Sequence, residues 1–394
     1  MLERMWEDWR EVCTRFGADE ELLREYDVRP QAARICGGAL HVRGVRKELY
    51  VKRPTCSSTR LQQVHQLIER VAQSGVRVAR FIPTKYGDPF VARPDGLFYA
   101  MRAGVGGQPR LERITVFIAA LELLARWHQN AITEPGELLA MERLDLPARL
   151  MQDMARLEAC RQQALRTADA AEMDQLFLSV REGLSSTVQN VLLGLREADF
   201  SSLCRTAWSA GAVCHGSFVR QNLLSHDEVL SVLDHDHVYL GPQVLDLAAF
   251  LRRYVRLYDW SPDVLAQGIA QYERIRPLTE PEFAILPVLL SYPENVLRVL
   301  EWYYEGNSEA PEEEFLDAFE REWAWHEACQ STIEHLYGEQ VAKLWGAKDG
   351  QGSDVARAEA VLSTDALSPE EAVQDDRVPG LTRFWRSWRR LHNP

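Results

Sequence analysis

The chain has 394 residues, a net charge of −13, and 46% hydrophobic against 26% charged residues, the balance of a globular protein with enough apolar side chains for a core. That charge excludes wholesale coating of nucleic acid, and no run of about 18 apolar residues offers a membrane span. The opening MLERMWEDWREVC lacks an apolar h-region, so no signal peptide is expected, and seven scattered cysteines without CxxC spacing predict reduced thiols, a cytoplasmic setting and no structural zinc.

Residues 1–30 read as one or two amphipathic helices, 20-EELLREYDV-28 being the clearer. Between 31 and 53 the runs RICGGALHVRG and KELYVKRP place Val, Leu, Tyr and Ile at alternating spacing, which predicts antiparallel strands. Leu61, Val64, Leu67, Ile68 and Val71 then fall at helical spacing over about 58–74, and Ser74-Gly75 ends the helix. Two further strands, 89-PFVARP-94 and 97-LFYAMRA-103, flank a Pro-Asp-Gly turn.

From about 112 the chain turns helical: ERITVFIAALELLARWHQNA, then long patterns over about 145–165 and 169–197. Short β runs at AVC, NLL and VLSVL interrupt it before 245-LDLAAFLRRYVRLYDW-260 opens a helical series lasting to about 345. The expectation is an α+β protein with a β-rich N-lobe over 1–103 and a helical C-lobe over 104–346. Residues 347–380, with eight acidic and three basic side chains, read as an acidic flexible linker. Residues 381-LTRFWRSWRRLHNP-394 carry four Arg and no acid, with Leu381, Phe384, Trp385, Trp388 and Leu391 on one helical face. This basic aromatic tail either docks on the protein's own surface or attaches to a partner or an anionic surface.

The chemistry concentrates in 214-CHGSFVRQNLLSHDEVLSVLDHDH-237. Phosphoryl transfer needs phosphates held in place, a metal, and a group that orients the attacking hydroxyl. Asn222 and Asp234 offer the hard oxygen donors that Mg²⁺ prefers, and a hairpin between them would bring both to one place. The order His215-Gly216-Ser217, Asn222, Asp234, then Gly241-Pro242 and Asp246-Leu247-Ala248, resembles the aminoglycoside-phosphotransferase branch of the protein-kinase-like fold. Within it, LREYDV, the Leu/Val-Lys-Arg strand 49-LYVKRP-54 and the HGSF loop resemble the spore-coat kinase-like (CotS) family, over roughly residues 17–340.

The resemblance implies a two-lobed fold binding ATP and Mg²⁺. It implies Lys52 on the phosphates, Glu69 paired with Lys52 (His65 and Gln66 being alternatives), and Tyr99 and Met101 lining the nucleotide strand and hinge. It further implies Asn222 and Asp234 on the metal, and His215 and Asp246 as structural props of the loop. Asp246 is also placed to N-cap its helix.

One departure matters most. Ser217 stands where the family has its catalytic Asp, and a serine hydroxyl is no useful base at neutral pH; loss of a general base typically costs about 10²–10⁴-fold. Asp236 is a substitute carboxylate, expected on the same face as Asp234. The run Asp234-His235-Asp236-His237 also suggests zinc or iron ligation, against which strand alternation would turn the two His away from the two Asp. His128, on an apolar helix, reads as a satisfied core residue.

Two functions follow. The first is a pseudokinase that serves as a binding scaffold in sporulation, located in the mother-cell cytoplasm or the spore coat. It would hold coat or envelope proteins through its surface and the tail, with ATP·Mg binding either retained or lost. The second is an active phosphotransferase acting on a small-molecule or protein hydroxyl. No nucleic acid partner is expected.

Overall fold

A computed structural model describes residues 6–104, 106–133, 143–166, 171–305 and 310–344, with side chains up to 338 in the last helix. The linker expected at 347–380 and the tail at 381–394 lie outside the described residues. Contacts divide the chain into two compact units, Met1–Leu146 with Ser201–Leu278, and Pro147–Phe200 with Thr279–Pro394.

The first unit begins with α1 (Trp9–Phe16) and α2 (Glu20–Glu25), each started by an aspartate whose side chain accepts a helix N–H: Asp8 from Arg10, and Asp19 from Leu22 at 2.7 Å. Gly17 ends α1 at φ 80°, a left-handed conformation that suits glycine. The sheet follows: β1 (Pro30–Cys36), β2 (Ala39–Gly44), β3 (Glu48–Lys52), then helix α3 (Ser58–Gln73), β4 (Phe81–Ile82), β5 (Val91–Arg93) and β6 (Gly96–Arg102). Its strand order is β1-β2-β3-β6-β4, with β5 also on β6, and the pairings are antiparallel.

Alternation along these strands separates core from site. Leu40, Val42, Leu49, Val51, Phe98 and Ala100 pack with Trp9, Val12, Leu22, Leu23 and Tyr26 of the two N-terminal helices. The Tyr26 hydroxyl donates to the Phe98 carbonyl at 2.9 Å and fastens that layer. The intervening positions Lys52, Tyr99 and Met101 therefore turn to the opposite face, and Lys52 and Tyr99 are direct cross-strand partners.

After α4 (Ile114–Asn130) the chain enters α5 (Leu146–Ala164) and α6 (Glu172–Glu197), returns through α7 (Phe200–Ser209), and forms the short strands β7 (Val213–Cys214), β8 (Leu223–His226), β9 (Val229–Val232) and β10 (Tyr239–Leu240). Helices α8 (Val244–Tyr254) and α9 (Pro262–Glu273) complete the first unit. The second unit is helical, formed by α5 and α6 with α10 (Glu280–Leu290), α11 (Glu294–Tyr304) and α12 (Glu312–Leu344). Within it α6 and α10 approach closely at Gly194, where an added Cβ would lie 2.8 Å from the Val288 methyls. Buried Asp153 and Asp174 accept from the Tyr292 and Tyr304 hydroxyls at 2.6 and 2.7 Å.

The α+β class read from the sequence is present. Three of the described elements escaped that reading, α7 and the two-residue strands β4 and β10, the strands being too short for periodicity to register.

Helix α10 carries a reciprocal cap: Thr279 Oγ1 accepts the Glu282 N–H at 3.4 Å, and the Glu282 carboxylate accepts the Thr279 N–H at 3.0 Å. Thr279→Ala is expected to destabilise the second unit by about 1 kcal/mol, read as a lower urea midpoint with an unchanged slope.

Candidate active site

The site grows from the turn after β7. Strand β7 pairs with β10, Cys214 opposite Tyr239 and Val213 opposite Leu240. The chain then turns at Gly216, φ 74°, where an added Cβ would lie 2.2 Å from the His237 carbonyl oxygen. Only glycine fits there, because the conformation and the close approach both exclude a side chain.

Asp246 holds this turn. Its carboxylate accepts the His215 N–H at 2.5 Å, the Gly216 N–H at 3.0 Å, and a hydrogen bond from His128 Nε2 at 3.0 Å. His128 Nδ1 lies 2.7 Å from the Tyr272 hydroxyl. The expected N-cap role of Asp246 is corrected: Gln243 precedes α8, and Asp246 sits inside its first turn with the side chain committed to the loop. A buried carboxylate needs such partners, and the loop amides supply them. Although burial alone would raise its pKa, the hydrogen bond and charge of His128 and the loop contacts hold Asp246 below the usual carboxylate value.

Ser217 donates its N–H to His215 Nδ1 at 3.3 Å. A 3-10 turn at Arg220–Asn222 returns Asn222 toward Ser217, so that Asn222 Nδ2 donates to the Ser217 carbonyl at 2.9 Å and to its hydroxyl oxygen at 3.0 Å. The hairpin β8–β9 follows; Asp227 and Glu228 at its tip have φ 49° and 63°, as a two-residue turn of the right twist demands. It ends with the Leu233 N–H donating to the Asn222 carbonyl at 2.8 Å, which brings the Asn222 and Asp234 segments side by side.

Strand β9 stops at Val232, and Asp234 has φ 56°, so 234–237 is a turn and not the strand on which alternation was argued. The outcome of that argument nevertheless appears: Asp234 and Asp236 both contact the Lys52 ammonium, the latter at 2.5 Å, while His235 Nε2 points to the Ala79 carbonyl at 3.2 Å. Tyr99 donates its hydroxyl to Asp236 at 2.6 Å and stacks on Phe81 with centroids 4.1 Å apart. Burial, then the Asp236 charge, pushes the Tyr99 phenol well up, so it stays a donor. Asp234 titrates below the ordinary carboxylate range; burial opposes this, and the Lys52 charge and hydrogen bond outweigh it. Among the described residues no group of three or more His, Cys, Asp or Glu is disposed to hold a metal ion.

The pairing expected between Glu69 and Lys52 is not formed. Glu69, half-buried, takes two nitrogens of the exposed Arg80 guanidinium, Nε at 2.9 Å. His65 packs against Phe81 and does not replace it. Met101 is buried between Tyr50 and Phe81 as its strand neighbours.

Two contributors carried no sequence signal. Arg60, buried in the first turn of α3, donates to the Val238 carbonyl at 3.1 Å and the Asp236 carbonyl at 3.4 Å. Buried Gln243 donates to the carbonyls of His128 and Val213 at 2.8 and 3.0 Å, tying α4 to β7.

With this geometry in view, the family model described as "Spore coat putative kinase YutH" matches residues 19–336. No curated protein matches the chain. Among solved structures, an aminoglycoside phosphotransferase from Alicyclobacillus acidocaldarius is similar at TM-score 0.72 and 19% identity, covering 82% of this chain and 96% of that one. A spectinomycin phosphotransferase in complex with ADP and spectinomycin is similar at TM-score 0.60 and 13% identity, covering 82% and 97%. An amicoumacin kinase in complex with AMP-PNP and Ca²⁺ follows at 0.54 and 12%, covering 81% and 95%. At these identities the likeness establishes the fold: it is that of the aminoglycoside-phosphotransferase group.

Burial holds His215 down at about 4 and His235 at about 3. An unfolded histidine titrates near 6.5, so below that pH the unfolded chain takes up protons that the folded one refuses. Stability is full above about pH 6.5 and is lost as pH falls through 4 and 3. Urea titrations at pH 7 and 5 are expected to give the lower unfolding free energy at pH 5. His235→Asn should flatten that decline by up to about 1.4 kcal/mol per pH unit.

Proposed function

The chain belongs to the spore-coat putative kinase YutH family, and from that premise we propose that it is a pseudokinase: a nucleotide-competent kinase-like scaffold whose work is binding, with transfer chemistry impaired. The observation that carries this reading is Ser217, a hydroxyl at the turn where a phosphotransferase needs a carboxylate, held by Asn222. A hydroxyl of ordinary acidity orients an acceptor by hydrogen bonding but does not take its proton.

The remaining groups suit nucleotide binding. The Lys52 ammonium, on the sheet face away from the core, contacts Asp234 and Asp236 and is a cation available to the phosphates of an entering nucleotide. Asp234 and the Asn222 amide oxygen are the hard donors that fit Mg²⁺, and their segments are joined at the Leu233–Asn222 hydrogen bond. Bound Mg²⁺ would offset phosphate charge. Tyr99 would keep Asp236 oriented, and Asp246 would keep the loop amides fixed.

The alternative reading is an active phosphotransferase in which Asp236 substitutes for the missing base. What favours it is the intact Lys52, Asp234 and Asp236 cluster, since positioning and electrostatics carry much of phosphoryl transfer. Against it, the Asp236 carboxylate is already engaged by Lys52 and by the Tyr99 hydroxyl. On the scaffold reading the partners are coat or envelope proteins met in the mother cell. No single helix among the described residues is long and apolar enough to cross a membrane.

Calorimetric titration with ATP, with and without Mg²⁺, is expected to show saturable Mg²⁺-dependent binding that Asp234→Ala abolishes. Absence of binding at millimolar nucleotide would reject nucleotide competence and leave a purely structural scaffold. Turnover in the native chain at the rate of an ordinary small-molecule kinase would establish the alternative. Ser217→Asp is expected to raise ATP turnover by about 10²–10⁴-fold if only the base is missing.

A further inference from the structure

A groove of about 510 Å³ opens within the second unit, between α11 and the start of α12. Its apolar lining is Val299, Trp302, Ala310, Phe315 and Ala318. The Tyr303 and Phe315 rings meet edge to face with centroids 5.4 Å apart, which ties the two helices together at this point. Trp302 is 58% exposed, and among the described tryptophans it is the exposed one. A large indole standing in water beside an apolar hollow is the kind of surface that marks a docking site.

Carboxylates rim this hollow: Glu301 and Glu305 on α11, and Glu314 on α12. The first two share one cation. Arg156 lies 3.2 Å from Glu301 and 3.5 Å from Glu305, and the same guanidinium meets buried Asp153 at 3.4 Å. A single shared guanidinium cannot neutralise both rim glutamates. Glu314 is exposed, as is Asp317 one turn further along α12, and among the described residues neither forms an ion pair. The positive start of α12 accounts for Glu314 in part, and it leaves the exposed indole unexplained.

The sequence holds a segment of the opposite character. Residues 381–394 carry four Arg and no acid, with Phe384, Trp385 and Trp388 among the apolar side chains at helical spacing. That segment follows α12 in the same chain, and it can reach the groove. At about 3.3 Å per residue, residues 345–380 span up to roughly 100 Å, against the roughly 45 Å that α12 measures from Glu314 to Leu344 at about 1.5 Å per residue.

From these features we propose that the groove between α11 and α12 is the docking site of residues 381–394 of the same chain. The segment's aromatic side chains enter the hollow beside Trp302, and its arginines meet Glu314, Asp317 and the rim glutamates or lie over the Trp302 ring. Each exposed ion pair contributes little alone, so aromatic burial holds the segment and the opposite charges select it. Tethering makes the contact intramolecular, and a modest contact energy then suffices. An anionic surface or acidic partner that takes up this segment must first draw it out of the groove. The contact is independent of nucleotide binding at Lys52 and Asp234.

The test is amide hydrogen exchange on the full chain, with sedimentation at the same protein concentrations. The expected result is a monomer in which the amides of 384–391 exchange at least tenfold more slowly than in Trp302→Ala, with Glu314→Lys also losing protection. Both positions are exposed, and thermal unfolding confirms that each variant is folded. Unprotected 384–391 amides in the native chain would overturn the proposal, as would protection unchanged in both folded variants. Protection that arises only at concentrations where the chain dimerises would give the groove to the segment of a second copy, and would overturn it equally.

Discussion

The buried carboxylate of Asp246 is the constraint on which the rest of the site depends. A charge at that depth is tolerated only with its lone pairs occupied, and the partners it recruits are two consecutive loop amides and an imidazole from α4. In satisfying itself Asp246 fixes the path of His215-Gly216, and Gly216 alone can follow that path against the His237 carbonyl. Everything downstream inherits the placement: Ser217, the Asn222 turn, the hairpin, and the return through Asp234. Removing the carboxylate would therefore leave two orphaned amides and take one partner from His128, a larger perturbation than loss of one hydrogen bond.

The sheet supplies the other half by periodicity alone. One face of β3 and β6 is consumed by α1 and α2, and the alternate positions Lys52, Tyr99 and Met101 emerge opposite. Tyr99 then acts on Asp236 through a phenol that burial keeps protonated, and Lys52 joins the two halves by its ammonium. KELYVK and LFYAMR alternate visibly in the sequence, but it was the resemblance to the CotS family that pointed to Lys52 and Tyr99.

Legibility failed where contacts are made by side chains that reach across the fold. Glu69 has the right distance along the chain from Lys52 for a pairing, but Arg80, eleven residues on, reaches it in bidentate fashion at the surface. Sequence spacing fixes the side of a helix a residue is on, and not which of two cations it meets. Arg60 and Gln243 were invisible for a related reason: each is a polar residue whose acceptors are backbone carbonyls, and carbonyls leave no trace in composition. Asp246 was found for its motif as a prop of the loop, and that is the contact it makes; only the N-cap role read beside it is absent, because a helix-start aspartate and a loop-holding aspartate look alike until the loop is folded against it. The turn 234–237 was read as strand because Val-Leu-Asp continues an apolar run; the left-handed Asp234 that ends it is a conformation asparagine and aspartate accept more readily than most.

The role of Ser217 turns on what the loop asks of that position. Its amide and carbonyl are used structurally, by His215 and Asn222, and any residue could supply them. Only the side chain is specific, and here it accepts from the Asn222 amide. An aspartate at this position would accept the same hydrogen bond, so serine and aspartate would differ there in charge and not in the local network. Lys52 contacts both Asp234 and Asp236. A site eroded by neglect would be expected to lose its buried charges first, because each is costly without its partners. This one retains Lys52 in contact with Asp234 and Asp236, the arrangement on which the proposed nucleotide binding rests.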